Sequence, residues 1–196
     1  MGILRGLVRD VLLAMVLAAL VFGGGPAGAD DPVLANFALA MERKGARQVV
    51  GVYVEGVLAH EVWQQPYDAP AFVFNQDHVV TEFRAVRDLT GNVGLLAHNN
   101  LAGALFFRLG VGDVVHVIFG DGAVVQYAVV EMREYAVVDA HQLRDVETGE
   151  VLGVENVFYE MYGGDVRAVL QTCIRRGDNP DWGRLFVIAR PVGGLT

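Results

Sequence analysis

Hydrophobic and polar positions fall into two textures along the chain. From Asp31 to Gly45, "DPVLANFALAMERKG" places Leu34, Phe37, Ala38 and Met41 on one side of a 3.6-residue repeat. Asp31 suits the cap of that helix, Pro32 its first position, and Gly45 its end. Beyond it the apolar runs become short and valine-rich, broken by glycine and aspartate, which is strand texture. "RQVVGVYV" and "VLAHEVW" are joined by Glu55-Gly56, and "VVHVIFG" and "AVVQYAVVEMREYAVV" flank Asp121-Gly122; both pairs read as hairpins. "APAFVFN" reads as a further strand, and Val79, Phe83 and Val86 in "HVVTEFRAVRDLTG" fit a short helix. "NVGLLAHNN" is a strand ending in polar residues, and "LAGALFFRLGVGD" a helical turn followed by a loop. Asp139–Gly164 forms a long polar and aromatic connection, a length that carries either a function or its own local structure. "VRAVLQT" and "RLFVIARPV" close the chain as strands, with a loop over 174–183. Many short strands with few helices predict one domain built as a closed barrel or a sandwich.

The first 29 residues follow a different pattern. Arg5 and Arg9 precede an uninterrupted apolar stretch, Val11–Phe22, and a small-residue site, Ala27-Gly28-Ala29, comes before "DDP". Those are the three parts of a secretory signal peptide. The apolar stretch is shorter than the about 20 residues that span a bilayer. Residues 1–29 are therefore expected to be a cleaved signal peptide or, failing that, an N-terminal membrane anchor, and residues 30–196 an exported domain.

The chain has 196 residues and a formal charge of −8. Arg5 and Arg9 outnumber Asp10 by one in the leading segment, so the remainder stands at −9. An acidic domain is a poor nucleic-acid ligand, because phosphate neutralisation needs a basic face. The five histidines, His60, His78, His98, His116 and His141, are scattered, with no metal-binding spacing, and no phosphate loop or dinucleotide fingerprint is present. No cofactor and no metal are expected.

The sequence holds a single cysteine, Cys173. In an exported domain a single thiol bridges to another chain, reacts, or is buried as a small apolar residue. Turning a thiol into a catalyst takes a base or cation that favours the thiolate and a donor that holds an oxyanion. His98, at the polar end of its apolar run, is placed like Cys173 at the end of its own, so a barrel could bring both to one rim. Arg184 begins the run after Cys173, and an antiparallel pair would set it beside the sulfur. His116 lies mid-strand and His141 in the long connection; Arg175 and Arg176 lie immediately after the cysteine. These compete for the roles of base and cation. Phe158, Tyr159, Met161 and Tyr162 either wall a peptide groove or cover the barrel edge.

The set "LLAHN", "FFRLGVGDVVHV", "VLQTC" and "GRLFVIA" resembles the sortases, cysteine transpeptidases of bacterial cell surfaces. The resemblance covers about Val49 to Val192. Ala97 stands where the family usually has glycine before its histidine, and Val169 where it often has threonine, so the likeness is to a divergent branch. It implies a closed eight-stranded β-barrel with short helices. It implies His98, Cys173 and Arg184 as catalytic residues and a thioester on Cys173. It also implies partners: surface proteins bearing a C-terminal sorting signal similar to L-P-x-T-G, and an amine acceptor from a cell-wall precursor or a pilin lysine. Two other readings of the same residues are a sortase-like hydrolase and a non-catalytic exported barrel that binds a ligand.

Overall fold

A computed structural model describes residues 31–42 and 47–193. The segment read as a signal peptide or anchor, 1–29, lies outside the described residues, as does Gly45. The first helix, α1 (Pro32–Met41), starts as the sequence predicts: the Asp31 carboxylate accepts from the amides of Val33 (2.8 Å) and Leu34 (3.2 Å). Its apolar side, Leu34, Phe37, Ala38 and Met41, packs on Val50, Tyr53 and Ile118.

Ten strands follow: β1 (Val49–Val54), β2 (Leu58–Gln64), β3 (Val79–Glu82), β4 (Val93–Ala97), β5 (Val114–Phe119), β6 (Val124–Val137), β7 (Gln142–Asp145), β8 (Val151–Gly153), β9 (Ala168–Arg176) and β10 (Asn179–Pro191). Eight of them close on themselves. The order runs β10-β9-β4-β3-β2-β1-β5-β6, and β6 pairs back with β10. Two neighbouring pairs, β2–β3 and β4–β9, are parallel, and the other six are antiparallel. The architecture is the closed eight-stranded barrel with short helices that the resemblance implies, and of the barrel and the sandwich that the strand-rich texture allows it is the barrel. Alternate residues fill its interior: Val52, Val54, Val62, Val80, Leu95, Val115, Val117, Val129, Leu170, Leu185 and Val187 form one continuous core.

A second, smaller core lies outside the barrel wall. The long connection has its own structure: β7 and β8 form a hairpin off β6, followed by helix α3 (Val154–Tyr162). Val157, Met161 and Tyr162 of α3 join Leu143, Tyr135, Val169, Phe186 and Ile188, together with Val86 of helix α2 (Arg84–Thr90). Of the four residues read as groove or cover, Met161 and Tyr162 are therefore structural, while Phe158 is half-buried and Tyr159 exposed.

Three local expectations are corrected. "APAFVFN" forms no strand; it belongs to an extended loop whose polar backbone is held by Gln65, which donates through Nε2 to the carbonyls of Pro70 and Phe72 (both 2.9 Å). Val79 is in β3 rather than in a helix, since β3 pairs parallel with β2 before the chain turns into α2 at Arg84. The segment after Cys173 is not a loop over 174–183. Strand β9 continues to Arg176, turns tightly at Gly177-Asp178, and Asn179 already pairs with Arg176. The irregularity is confined to Pro180, Asp181 and Trp182, where the register slips before regular pairing resumes at Gly183.

Candidate active site

Two of the three residues singled out by the sequence, Cys173 and Arg184, lie on adjacent strands of the wall, and His98 follows directly after the end of β4, the strand on the other side of β9. In the antiparallel β9–β10 pair, Cys173 is the register partner of Arg184. In the parallel β4–β9 pair, Ala97 is the partner of Thr172, so the next residues, His98 and Cys173, arrive at the same level. Alternation then fixes the face. Leu95, Ala97, Ala168, Leu170, Leu185 and Val187 point into the barrel. Val169, Phe186 and Ile188 point outward against α2 and α3. Cys173 and Arg184 share the parity of the outward set, and His98 continues the outward parity of Gly94 and Leu96. Neighbouring strands are about 4.8 Å apart, so Cys173 and Arg184 stand side by side on the outer wall, in a row that His98, just past the end of β4, would extend.

Packing beneath that row holds it in register. A 3-10 helix, Ala102–Arg108, folds back immediately after β4, with the amides of Leu101 and Gly103 both donating to the His98 carbonyl (3.0 Å each). Gly103 admits no side chain: a Cβ there would come within 2.4 Å of Thr172 Oγ1 and 2.7 Å of the His98 carbonyl oxygen. The buried Thr172 hydroxyl donates to the Ala97 carbonyl (2.8 Å), tying β9 to the end of β4 beneath the row.

Each side chain has a distinct environment. Cys173 is half-buried, and its burial pushes the thiol pKa up; the Arg184 guanidinium opposes that rise, and a hydrogen bond with the Asp181 carboxylate adds to it. At neutral pH the thiol form dominates. His98 is half-buried, and its Nε2 donates to the Val73 carbonyl in the loop before β3 (3.3 Å). Arg184 is half-buried and donates through one terminal nitrogen to the Gly183 carbonyl (2.8 Å). The competing residues are elsewhere. His116 is buried in β5 beside Tyr53, and burial lowers its pKa. His141 is exposed at the start of the β7–β8 hairpin. Arg176 stacks on Trp182, 4.4 Å from the ring centre, and Arg175 is exposed at the strand end.

Two depressions are lined in part by residues of β9. One, of about 330 Å³, is walled by Phe158, Val154 and Leu143, with Gln171 and Arg184 on its floor. Tyr162 closes its base by donating its hydroxyl to Gln171 Oε1. The other, of about 220 Å³, is lined by Asn99, Asn100, Phe107, Ile174 and Arg175. Sequence reasoning missed Asp181, Gln171 and Asn99. Asp181 lies in the stretch read as loop, and Gln171 is a polar residue at an outward position of an apolar strand, a signal that was available. Among the described residues there is no cluster of three or more metal-ligating side chains, and no helix is long and apolar enough to cross a membrane.

No family model matches this chain, and no curated protein is similar to it. Among solved structures it is similar to Streptococcus agalactiae sortase C1, in a lid mutant, with 19% identity, a TM-score of 0.48, and 95% of this chain and 88% of that one covered. It is similar to Listeria monocytogenes sortase A, with 18% identity, a TM-score of 0.47, and 74% of this chain and 87% of that one covered. It is also similar to a Clostridium perfringens sortase D5 transpeptidase, with 13% identity, a TM-score of 0.46, and 82% and 88% covered.

Proposed function

We propose that the chain is a sortase-type cysteine transpeptidase acting at the outer surface of a cell. What supports this reading most is the register: Cys173 is paired opposite Arg184, and Ala97, the residue before His98, is paired opposite Thr172, the residue before Cys173. A thiol, an imidazole and a guanidinium in one row supply a nucleophile, a proton carrier and an oxyanion donor.

The reaction has two halves. The Cys173 thiolate attacks the carbonyl carbon of a scissile peptide bond in an extended, L-P-x-T-G-like signal of a surface protein. The C–S bond forms, the C–N bond breaks, and His98 as imidazolium gives its proton to the departing amine. The acyl group remains as a thioester. In the second half an amine, from a cell-wall precursor or a pilin lysine, attacks the thioester carbonyl. The new C–N bond forms, its surplus proton passes to His98, and Cys173 leaves as thiolate. Arg184 donates hydrogen bonds to the oxyanion in both halves. With Nε2–H given to the Val73 carbonyl, Nδ1 of His98 is the nitrogen that carries the proton. The 330 Å³ depression beside Arg184 takes the acyl side of the signal, its apolar walls receiving an apolar side chain.

The test is incubation with a library of L-P-x-T-G-like peptides, comparing wild type with Cys173→Ala. An acyl adduct on the Cys173 peptide, found by mass and missing from the variant, is the expected result. A thiol that reacts with a methanethiosulfonate reagent only after unfolding, with no adduct, supports the non-catalytic binding barrel instead. Adduct formation with release of free acid and no ligated amine supports a hydrolase.

A further inference from the structure

The solvent side of a surface helix is normally polar, and that of α1 is not. Its sequence, PVLANFALAM, includes no charged side chain, and Asn36 is its only polar one. One side, Leu34, Phe37, Ala38 and Met41, is taken up by the barrel. The opposite side carries Val33, Ala35, Asn36, Leu39 and Ala40, all exposed; Val33 is 59% exposed and Leu39 70%. A helix that is apolar all round belongs in nonpolar surroundings on both sides, and the described residues supply them on one side only.

Three observations bear on what covers the outer side. The first is where the helix starts. The apolar stretch Val11–Phe22, expected to enter the membrane as part of a signal peptide or anchor, is separated from the Asp31 cap only by a short glycine- and alanine-rich stretch. The second is charge. Residues 42–47 bring three basic side chains, Arg43, Lys44 and Arg47, against one acidic, Glu42, in a chain whose formal charge is −8. A locally basic run beside an apolar helix suits anionic headgroups. The third is place. α1 packs on β1 and β5, and β1 stands four strands from β9 in either direction round the closed order. The barrel can rest on α1 while the wall that carries Cys173 stays uncovered.

We propose that the outer side of α1, Val33, Ala35, Leu39 and Ala40, lies on an anionic lipid bilayer and seats the barrel with its Cys173 wall turned away from the lipid. This surface is independent of the chemistry at Cys173. Its side chains enter the boundary between headgroups and acyl chains, about 5–10 Å deep. The helix is fastened to the barrel at its start, where the Tyr53 hydroxyl donates to Asp31 Oδ2 (2.6 Å), so seating α1 seats the whole domain.

The experiment uses the full chain in vesicles of phosphatidylglycerol and phosphatidylcholine. In a Cys173→Ala background a single cysteine is placed on α1 (Ala40→Cys) or on α3 (Tyr159→Cys), whose helix packs against β9 and β10, and is labelled with an environment-sensitive fluorophore. Lipid carrying a nitroxide high on its acyl chain quenches by contact. The α1 label should shift to the blue and lose most of its emission, and the α3 label should keep its own. Quenching at both positions, or at neither, overturns the proposal. Simple tethering by residues 1–29 is separated by Val33→Gln with Leu39→Gln, which keeps that segment and removes the apolar contact. The α1 quenching should then be lost; quenching that survives the double variant overturns the proposal. Both side chains are exposed, so the urea midpoint should hold, and Leu39→Gln alone is read if it falls. In phosphatidylcholine alone, or at high salt, the quenching should weaken; equal quenching there overturns the role of anionic lipid. A blue-shifted α1 label that the nitroxide does not reach, and that depends on protein density, makes a second copy the occupant and overturns the proposal.

Discussion

The two faces of β9 carry out different tasks with the same backbone. The inner face, Ala168, Leu170 and Thr172, is buried and locks into the barrel interior and the end of β4. The outer face grades from the buried Val169 through Gln171 and Cys173 to the exposed Arg175. Inner positions fix the register, and the register alone decides which outer residues of β4 and β10 stand beside the sulfur. A slip of one residue would turn Cys173 into the core and Thr172 outward. Substitutions on the inner face should therefore cost stability, and those on the outer face should cost chemistry.

The largest effect is expected inside. Leu170 is fully buried, and Leu170→Ala should lower unfolding free energy by about 2–5 kcal/mol, read from the midpoint of urea denaturation. Arg184→Ala, level with Cys173 on the outer face, should lower turnover by about 10²–10³-fold in a peptide-cleavage assay. The same variant should leave the urea midpoint nearly unmoved; a collapse of the fold would erase the distinction between the faces. Gly103→Ala tests the support between them. The new methyl group meets Thr172 Oγ1 and the His98 carbonyl, so a loss of about 1–3 kcal/mol is expected together with reduced turnover. The smallest effect concerns Asp181. Its carboxylate adds to the upward push on the thiol, so Asp181→Asn should move the midpoint of thiol alkylation against pH downward. An upward movement would show that Asp181 does not act on the sulfur.

The strands of the barrel were legible because short valine-rich runs such as "VVGVYV" and "VVHVIF" have strand composition and length. The Asp31 cap of α1 and the Asp121-Gly122 hairpin were legible for local reasons too. The stretch after Cys173 was not, since glycine, proline and four charged residues there have loop composition while the backbone still pairs: a strand at the rim needs only its hydrogen bonds, not buried side chains. The loop before β3 misled in the opposite sense. Phe72 and Phe74 stack edge-to-face, and Phe74 does the same with Trp63, so apolar residues are sheltered without a strand. For the candidate site, position along apolar runs set Arg184 beside Cys173, and the β9–β10 register has that pair. What no local pattern carries is contact across distant segments, and so the bond from Asn99 to Pro180 and the place of Asp181 near the sulfur emerged only with the fold.

The central claim is that Cys173 works inside a shared electrostatic environment made by its outward neighbours. Its most direct test is the rate of iodoacetamide alkylation of Cys173 as a function of pH, in wild type and in Arg184→Ala. The guanidinium opposes the rise that burial imposes on the thiol, so removing it should move the midpoint to higher pH. A midpoint that stays in place or moves down would mean that Arg184 and the sulfur do not sense each other, which contradicts the account.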